Sequence, residues 1–271
     1  MTRQVLRLRL EKSGDARFIS HLDFMRTLAH AFVRAGIPVS LTQGFHPHPR
    51  FSLALALPLG ASSEAEYADV ELEHSVDAMD AARQLNRALP PGIRVKQVQE
   101  IPVGTPPLQS QVTAARWLLE LELVEPQVDS GPPGEGRAPL AGPPGVPTVE
   151  EALSRLLLQT HLPLVRERGG KVRTLDARPL ILAARLRGGC DERAREQAAQ
   201  VEAVLAAGAT SLRAAEFARL LAETGGWELG HLRVHLLQLY ARRDGALVDP
   251  ARLGEEAWRD YHRNRKLNFE E

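Results

Sequence analysis

The sequence VLRLRL at Val5–Leu10 alternates apolar and cationic residues without interruption. Alternation with a period of two is typical of a β-strand that presents one face to a core. The three leucines are therefore predicted to face the core, and the two arginines to face away from it. This segment is the predicted first strand of a sheet.

A helix is predicted directly after this strand. Ser20 is a suitable N-cap residue, Asp23 follows three residues later as in a capping box, and Gly36 with Pro38 ends the helical pattern. The residues that form the apolar face are Met25, Leu28, Ala29 and Phe32. The chain therefore begins with a strand and an amphipathic helix.

The next segments complete a recognisable order of elements. They are strands near Val39–Thr42 and Phe51–Leu57, a strand at Tyr67–Glu73, a helix capped by Ser75 or Asp77, and a closing strand at Ile93–Val98. If the two short strands around the intervening loop are parts of one bent strand, the order is β-α-β-β-α-β. This is the ferredoxin-like plan, with two helices on one face of an antiparallel sheet and the other face open.

The second half repeats this order with insertions. Its predicted elements are a strand at Ala115–Leu123, a helix beginning at Thr148 with Glu151 completing a capping box, extended segments near 164–168, 172–176, 180–186 and 201–206, a helix capped by Ser211, and a strand at Leu232–Tyr240. The predicted fold class is therefore α+β, with tandem ferredoxin-like units and antiparallel sheets.

Three regions are predicted along the chain. Residues 1–108 form a first ferredoxin-like domain, and residues 109–250 form a second one. Residues 126–147 are rich in proline and glycine and form an insertion in the second domain. Residues 251–271 form a basic and aromatic C-terminal tail.

Composition excludes several classes of protein. The single cysteine, Cys190, excludes a disulfide framework, a thiolate zinc site and an iron–sulfur cluster held by this chain alone. No apolar run is long enough for a membrane span, and the first residues do not resemble a signal peptide. We expect a cytoplasmic protein that does not bind membranes.

Charge is distributed unevenly along a chain whose formal net charge is +0. Basic residues outnumber acidic ones from Arg3 to Arg50. The segment from Glu64 to Asp80 contains acidic residues but no Lys or Arg, and basic residues again predominate from Arg166 to Arg187. This pattern predicts a polarised surface that could orient an anionic partner.

Two motifs in the first fifty residues have the composition of a binding surface. The first is Ser20-His21-Leu22-Asp23, and the second is Gln43-Gly44-Phe45-His46-Pro47-His48-Pro49-Arg50. Each proline restricts its own backbone and the residue before it, so His46 and His48 are predicted to project from a stiff extended segment.

Two roles for these histidines are open. A metal site would need His21 or Asp23 to join His46 and His48. We favour contact with phosphate or bases, because the flanking charges are arginines. The predicted contacts are Arg17, His21, Arg26, Gln43, His46, His48 and Arg50, and no metal-ligating residue is assigned.

A second candidate surface lies near the C-terminus. Alternation places His231, Arg233 and His235 on one face of a predicted strand, which is either an ordinary solvated face or a nucleic-acid platform. The tail segment Trp258–Lys266 mixes aromatic rings with cations, which suits RNA and equally suits a protein partner.

Catalytic signatures are absent from the sequence. There is no Gly-x-Ser-x-Gly elbow, no P-loop and no Gly-x-Gly-x-x-Gly fingerprint, and Asp191 and Glu192 beside Cys190 would disfavour a thiolate. We therefore assign no catalytic residue and no cofactor.

The chain resembles the bacterial radical-SAM-linked (radical-SAM-associated) proteins of unknown function. The resemblance extends to about residue 240 and is carried by Arg17–Asp23 with Arg26, Ala35–Pro38, Gln43–Pro49, Leu57–Gly60, Glu64–Asp69 and Thr174–Leu180. It implies a partnership with a cobalamin-type radical SAM protein, to which such chains are fused or with which they occur separately. This chain lacks Cys-x-x-x-Cys-x-x-Cys, so it would be the accessory half. The proline- and glycine-rich insertion and the tail depart from the family pattern.

These observations predict a non-catalytic accessory module that binds RNA and presents it to a separate radical SAM enzyme. Two alternatives remain open. One is a metal-independent endoribonuclease that uses His21 or His46 as a general base, as in the CRISPR repeat-processing enzymes that tandem ferredoxin-like units resemble. The other is an adaptor that binds only proteins, through its open sheet face and its tail.

Overall fold

The computed structural model describes residues 3–124, 147–187, 198–243 and 246–250. It confirms the predicted α+β class with a mostly antiparallel sheet. The described residues fall into two compact units. The first unit draws on the described residues within Met1–Trp117, Ala206–Thr210 and Val234–Glu271, and the second on those within Leu118–Leu205 and Ser211–Arg233.

The described residues form eleven strands and five α-helices. The strands are β1 (Gln4–Lys12), β2 (Phe51–Leu53), β3 (Ser62–Leu72), β4 (Ile93–Ile101), β5 (Val112–Val124), β6 (Pro163–Arg168), β7 (Lys171–Asp176), β8 (Ile181–Leu186), β9 (Ala198–Ala206), β10 (Glu228–Arg243) and β11 (Ala246–Val248). The α-helices are α1 (His21–Arg34), α2 (Ala78–Ala88), α3 (Leu108–Gln111), α4 (Val149–Leu158) and α5 (Ala214–Gly225), with 3₁₀ turns at Gly14–Phe18 and Arg178–Leu180.

The first unit has the ferredoxin-like strand order β4-β1-β3-β2, and each of these neighbouring pairs is antiparallel. Helix α1 connects β1 to β2, and α2 connects β3 to β4. The unit adds one feature to this plan, because β10 pairs in parallel with β3 at His235 and Leu236. Strand β11 in turn pairs with β10.

The second unit repeats the arrangement with the strand order β10-β5-β9-β8. Helix α4 follows β5, and α5 connects β9 to β10. The antiparallel hairpin of β6 and β7 is inserted between α4 and β8. The predicted insertion at 126–147 lies outside the described residues except for Pro147, and the predicted tail at 251–271 lies wholly outside them.

Helix starts follow the sequence signals at three of the four helices with a predicted cap. The Asp77 side chain, one of the two caps predicted for α2, accepts the backbone N–H of Asp80. The Ser20 side chain accepts the backbone N–H of Asp23, and Thr148 and Glu151 form a complete capping box. The prediction that Ser211 caps a helix is wrong, because α5 begins at Ala214. There the backbone N–H of Arg213 donates to Glu216, which makes Arg213 the N-cap residue.

Two predicted strands are shorter than expected. The segment Val39–Thr42 makes only isolated bridges at Val39 and Leu41, and β2 ends at Leu53 rather than Leu57. Pro38 directly precedes the first segment and Pro49 is the bridge partner of Leu41, and a proline has no N–H for a strand ladder.

The core of the first unit lies between its sheet and its helices. The three leucines of VLRLRL are buried there, as predicted, against Phe24, Leu28 and Phe32 of α1. Helix α2 contributes Ala81 and Leu85 to the same cluster. Burial of this apolar surface is the main favourable term for folding of the unit.

The sheet face away from the helices was predicted to be open, but part of it is covered. Arg7 is only 1% exposed, and its guanidinium donates from Nε and Nη2 to the two carboxylate oxygens of Asp69 at 2.7 and 2.8 Å. Its Nη1 donates to the carbonyl oxygen of Pro250, and the Tyr67 hydroxyl donates to Asp249. The chain after β11 therefore covers this face at Arg7 and Tyr67.

A second buried pair joins β1 to β3 near the other end of the strands. The Nζ of Lys12 lies 3.8 Å from Oε1 of Glu66 and 5.5 Å from the ring centroid of Phe24. Burial raises the pKa of Glu66 to about 7, against the opposing effect of Lys12. Burial also lowers the pKa of Lys12.

The buried Arg7–Asp69 pair predicts a strong dependence of stability on Asp69. We expect Asp69→Ala to lower the free energy of unfolding by about 3 kcal/mol, because it leaves the Arg7 guanidinium buried without its carboxylate. Arg83→Ala removes an exposed ion pair with Asp80 and should change it by less than about 1 kcal/mol. Urea denaturation measures both, and equal effects would contradict the assignment.

The pKa of Glu66 predicts a specific pH dependence of stability. The folded protein holds this proton up to about pH 7, whereas the unfolded chain releases it near the ordinary value of 4.5. Stability should therefore fall by about 3 kcal/mol between these pH values. Glu66→Gln should lack this fall, whereas Glu73→Gln, at an exposed position after β3, should keep it. Denaturation at a series of pH values tests this, and a fall retained in Glu66→Gln would contradict it.

Candidate nucleic-acid interface

The histidine and proline motif forms a closed loop between α1 and β2. Leu41 and Pro49 form a β-bridge at its base. Above the bridge, the N–H of Thr42 donates to the His48 carbonyl oxygen at 2.8 Å, and the His48 N–H donates to the Thr42 hydroxyl at 2.9 Å. These contacts hold the two arms of the loop together.

Every residue from 41 to 48 is exposed. The side chain of Phe45 is 102% exposed, so the whole ring faces water. Gly44 before it has a φ of 132°, in the region that favours glycine. The loop therefore presents an aromatic ring beside Gln43, His46 and His48, and Phe45 was absent from the predicted contacts. Its position between a glycine and the histidines is the signal that marks it.

Arg50 stands at the end of the loop. Its Nε lies 3.1 Å from a carboxylate oxygen of Glu71, and the two side chains are 41% and 40% exposed. Such an ion pair is screened by solvent and contributes little to stability. The guanidinium of Arg50 can therefore exchange this carboxylate for a phosphate.

A cavity of about 460 Å³ opens beside the base of the loop. Thr42, Arg50 and Ser52 line it, together with Arg3 directly before β1 and Asp69 of β3. The volume lies within the range of small-molecule binding pockets. The exposed loop and the cavity are thus adjacent.

Arg17, His21 and Arg26 lie at the opposite end of the first unit. His21 begins α1, which has 14 residues and is about 20 Å long, whereas the loop follows the end of that helix. The Arg17 carbonyl oxygen accepts the N–H of Gly60, just before β3 begins, whereas Ser40 beside the loop bonds to Glu71 near the end of β3. The structure therefore does not unite the two motifs into one surface.

The cations at that opposite end have local partners. Arg26 donates to the Asp23 carboxylate at 3.0 Å. The guanidinium carbon of Arg17 lies 4.5 Å from the Phe18 ring centroid, and its Nε is buried without a hydrogen-bond partner in the described residues. Hydrogen bonds from Ser20 and Arg26 lower the pKa of Asp23.

The predicted alternation on β10 is present, but its polar residues differ in availability. His231 is exposed, and Arg233 lies 3.9 Å from the Glu120 carboxylate. His235 is held at both ring nitrogens, with Nδ1 2.7 Å from the Ser62 hydroxyl and Nε2 3.2 Å from Glu64.

The prediction of a polarised surface from sequence charge blocks is wrong for the first two blocks. Strand β1 belongs to the basic block and its neighbour β3 to the acidic block. The two blocks therefore neutralise each other through the ion pairs Arg7–Asp69, Lys12–Glu66 and Arg50–Glu71.

Two other kinds of feature are absent from the described residues. They contain no cluster of three or more histidine, cysteine, aspartate or glutamate residues that could hold a metal ion. Within the same residues, no helix is long and apolar enough to cross a membrane.

Comparison with known protein families gives a match over most of the chain. A family model described as an uncharacterized protein conserved in bacteria (DUF2344) matches residues 5–214. No curated protein sequence matches.

Two solved structures are similar over most of the chain. One is a crystal structure of a Cbf5-Nop10-Gar1 complex, with 10% identity and a TM-score of 0.40 over 85% of this chain and 47% of that one. This chain thus spans about half the length of that relative. The other is a crystal structure of an unknown protein from Galdieria sulphuraria, with 12% identity and a TM-score of 0.24 over 87% of this chain and 98% of that one.

The loop geometry predicts a measurable effect of the Thr42 hydroxyl. Thr42→Val removes the acceptor of the His48 N–H, and a hydrogen bond of about 1 kcal/mol corresponds to about fivefold faster exchange of that amide. Thr210→Val, at an exposed position after β9, should leave it unchanged. Hydrogen exchange followed by NMR measures this, and unaltered exchange in Thr42→Val would show that the hydroxyl does not hold the loop.

Proposed function

The protein belongs to DUF2344, the family of uncharacterized proteins conserved in bacteria, and we propose that it is a non-catalytic accessory protein that binds RNA. It presents this RNA to a separate radical SAM enzyme in the cytoplasm. The exposed loop with Phe45 at its tip is the observation that carries the RNA-binding part of the proposal.

The loop offers the groups that recognise single-stranded RNA. An exposed aromatic ring can stack on a base, and this stacking tolerates any sequence because every base has a π-face. Gln43, His46 and His48 are exposed beside it and can reach sugar or base edges. Arg50 provides a phosphate contact at the end of the loop.

The backbone of the loop supports this role. The two hydrogen bonds between Thr42 and His48, together with the prolines, fix its shape before RNA arrives. A preorganised loop loses little conformational entropy on binding, so more of the contact energy contributes to affinity.

The other predicted contacts have a secondary place in the proposal. Arg17, His21 and Arg26 would meet RNA only if it extends to the other end of the first unit. His231, Arg233 and His235 on β10 would form a further contact, in which His235 first has to release Ser62 or Glu64.

The radical SAM partner is proposed from the family resemblance in the sequence motifs. Radical SAM chemistry requires an iron–sulfur cluster held by cysteines. This chain has one cysteine, so the cluster must come from the partner.

Binding of random-sequence single-stranded RNA tests the function. We expect affinity to fall steeply with salt, because bound phosphates release counterions. Phe45→Ala should weaken binding about tenfold through lost stacking, and Arg50→Ala should reduce the salt slope by about 0.7. His30→Ala and Met79→Ala, at exposed positions on α1 and α2, serve as controls and should bind as the unaltered protein does. Fluorescence anisotropy across a salt series gives these values.

Three outcomes would change the proposal. The absence of salt-dependent binding at low salt would refute RNA binding. Co-purification with a radical SAM protein without RNA would then favour the adaptor alternative. Cleavage of the RNA that persists in chelator and is lost in His21→Ala or His46→Ala would identify an endoribonuclease instead.

A further inference from the structure

The cavity beside the loop has rigid walls drawn from distant parts of the first unit. Gln109 donates from Nε2 to the carbonyl oxygen of Leu53 at 2.8 Å, which ties the segment after β4 to the end of β2. Gln4 donates to Glu100 at 2.8 Å and to the Val76 carbonyl oxygen, which fixes the start of β1. The cavity therefore exists before any ligand binds.

Asp69 gives this cavity a fixed hydrogen-bond acceptor. Its side chain is 12% exposed, and each carboxylate oxygen already accepts one hydrogen bond from the buried Arg7. A carboxylate has about four lone-pair sites, so two remain. They suit the amino group or ring N–H of a nucleobase, and the Ser52 hydroxyl nearby can donate or accept.

Two guanidinium groups stand at the same cavity. Arg3 is exposed and makes no hydrogen bond or ion pair with any residue that the structure describes, and Arg50 is held only by its exposed pair with Glu71. Arginine forms bidentate contacts with phosphate oxygens. The cavity thus combines an acceptor for a base with cations for a phosphate.

The core fixes the strand that carries Ser52. Phe51 pairs with Val70 on the core side, and its ring packs edge-on against Phe32, with ring centroids 5.2 Å apart. The next residue, Ser52, pairs with Asp69 and faces the other side of the sheet.

We propose that this cavity receives one nucleotide of the bound RNA, with its base turned out of the strand. The inference rests on the proposed function and adds the site of recognition. The loop holds the strand, Arg3 and Arg50 contact the phosphate of the extruded nucleotide, and Asp69 with Ser52 contacts the base. Extrusion of an unstacked base into a protein pocket is a common mode of RNA recognition.

A single-stranded RNA that contains 2-aminopurine tests the proposal, because the fluorescence of this base rises when it leaves the stack. We expect the signal to rise with the unaltered protein. Ser52→Met fills the cavity and should abolish the rise while weakening affinity about fivefold or more. Ser75→Met places the same side chain at an exposed position outside the cavity and should change neither quantity.

Arg3→Ala is a second variant, at an exposed position, and it tests the proposal even if Ser52→Met fails to fold. We expect it to weaken binding of nucleoside 5′-monophosphates in equilibrium dialysis, whereas Arg87→Ala on α2 should not. Inorganic phosphate and unphosphorylated nucleosides, dialysed in parallel, should bind more weakly than the nucleotides. Their separate affinities distinguish a nucleotide pocket from a simple anion site.

The two proposals fail in different ways. Loss of all salt-dependent RNA binding would refute the proposed function and the cavity's role together. A different set of results would overturn only the nucleotide cavity. In that case Phe45→Ala weakens salt-dependent binding, but Ser52→Met and Arg3→Ala change neither that binding nor the 2-aminopurine signal. Tight binding of inorganic phosphate with no preference for nucleotides would also overturn it.

Discussion

The antiparallel pairing of β1 with β3 is the constraint on which the first unit depends. It sets Leu8 beside Ala68 on the core side and Arg7 beside Asp69 on the other side. Because the Arg7 guanidinium is buried, its register partner must be a carboxylate, and a slip of one residue would leave the charge unpaired. The carbonyl oxygen of Pro250 accepts a further hydrogen bond from Nη1 of Arg7. One cross-strand contact therefore links the register of the sheet to the position of the chain that follows β11.

The parts of the fold that follow from local pattern could be predicted from the sequence. The alternation of VLRLRL, the Ser20 cap and the Thr148 capping box act over a few residues, so periodicity and cap chemistry identify them. Arg7 shows the limit of this reasoning. Alternation correctly assigns it to the face away from the helices, but only the folded chain shows that Asp249 and Pro250 cover that face. The charge blocks fail for the same reason, because residues sixty positions apart become neighbours in paired strands.

The candidate site also has one part that could be predicted from the sequence and one part that could not. The loop from Gln43 to Arg50 is contiguous, and its glycine and prolines predict a stiff exposed segment. The cavity is assembled from the start of β1, the end of the loop, β3 and the chain after β4, so no local pattern marks it. A joint role of His21 and His46, as in the alternative metal site, would require a tertiary contact. The length of α1 places the two motifs at opposite ends of the first unit instead.

Two arginine–carboxylate pairs on the same sheet illustrate how burial separates structure from function. Arg7 is 1% exposed, and removing its partner would leave a desolvated charge, so this pair is fixed. Arg50 is 41% exposed, and its direct contact with Glu71 is open to solvent, where such a pair contributes less than about 1 kcal/mol. The backbone around Arg50 is nevertheless held, because its carbonyl oxygen accepts the Glu71 N–H and its own N–H donates to Ser40. The side chain is therefore free to exchange partners while its anchor stays in place, which is the combination that a phosphate contact requires.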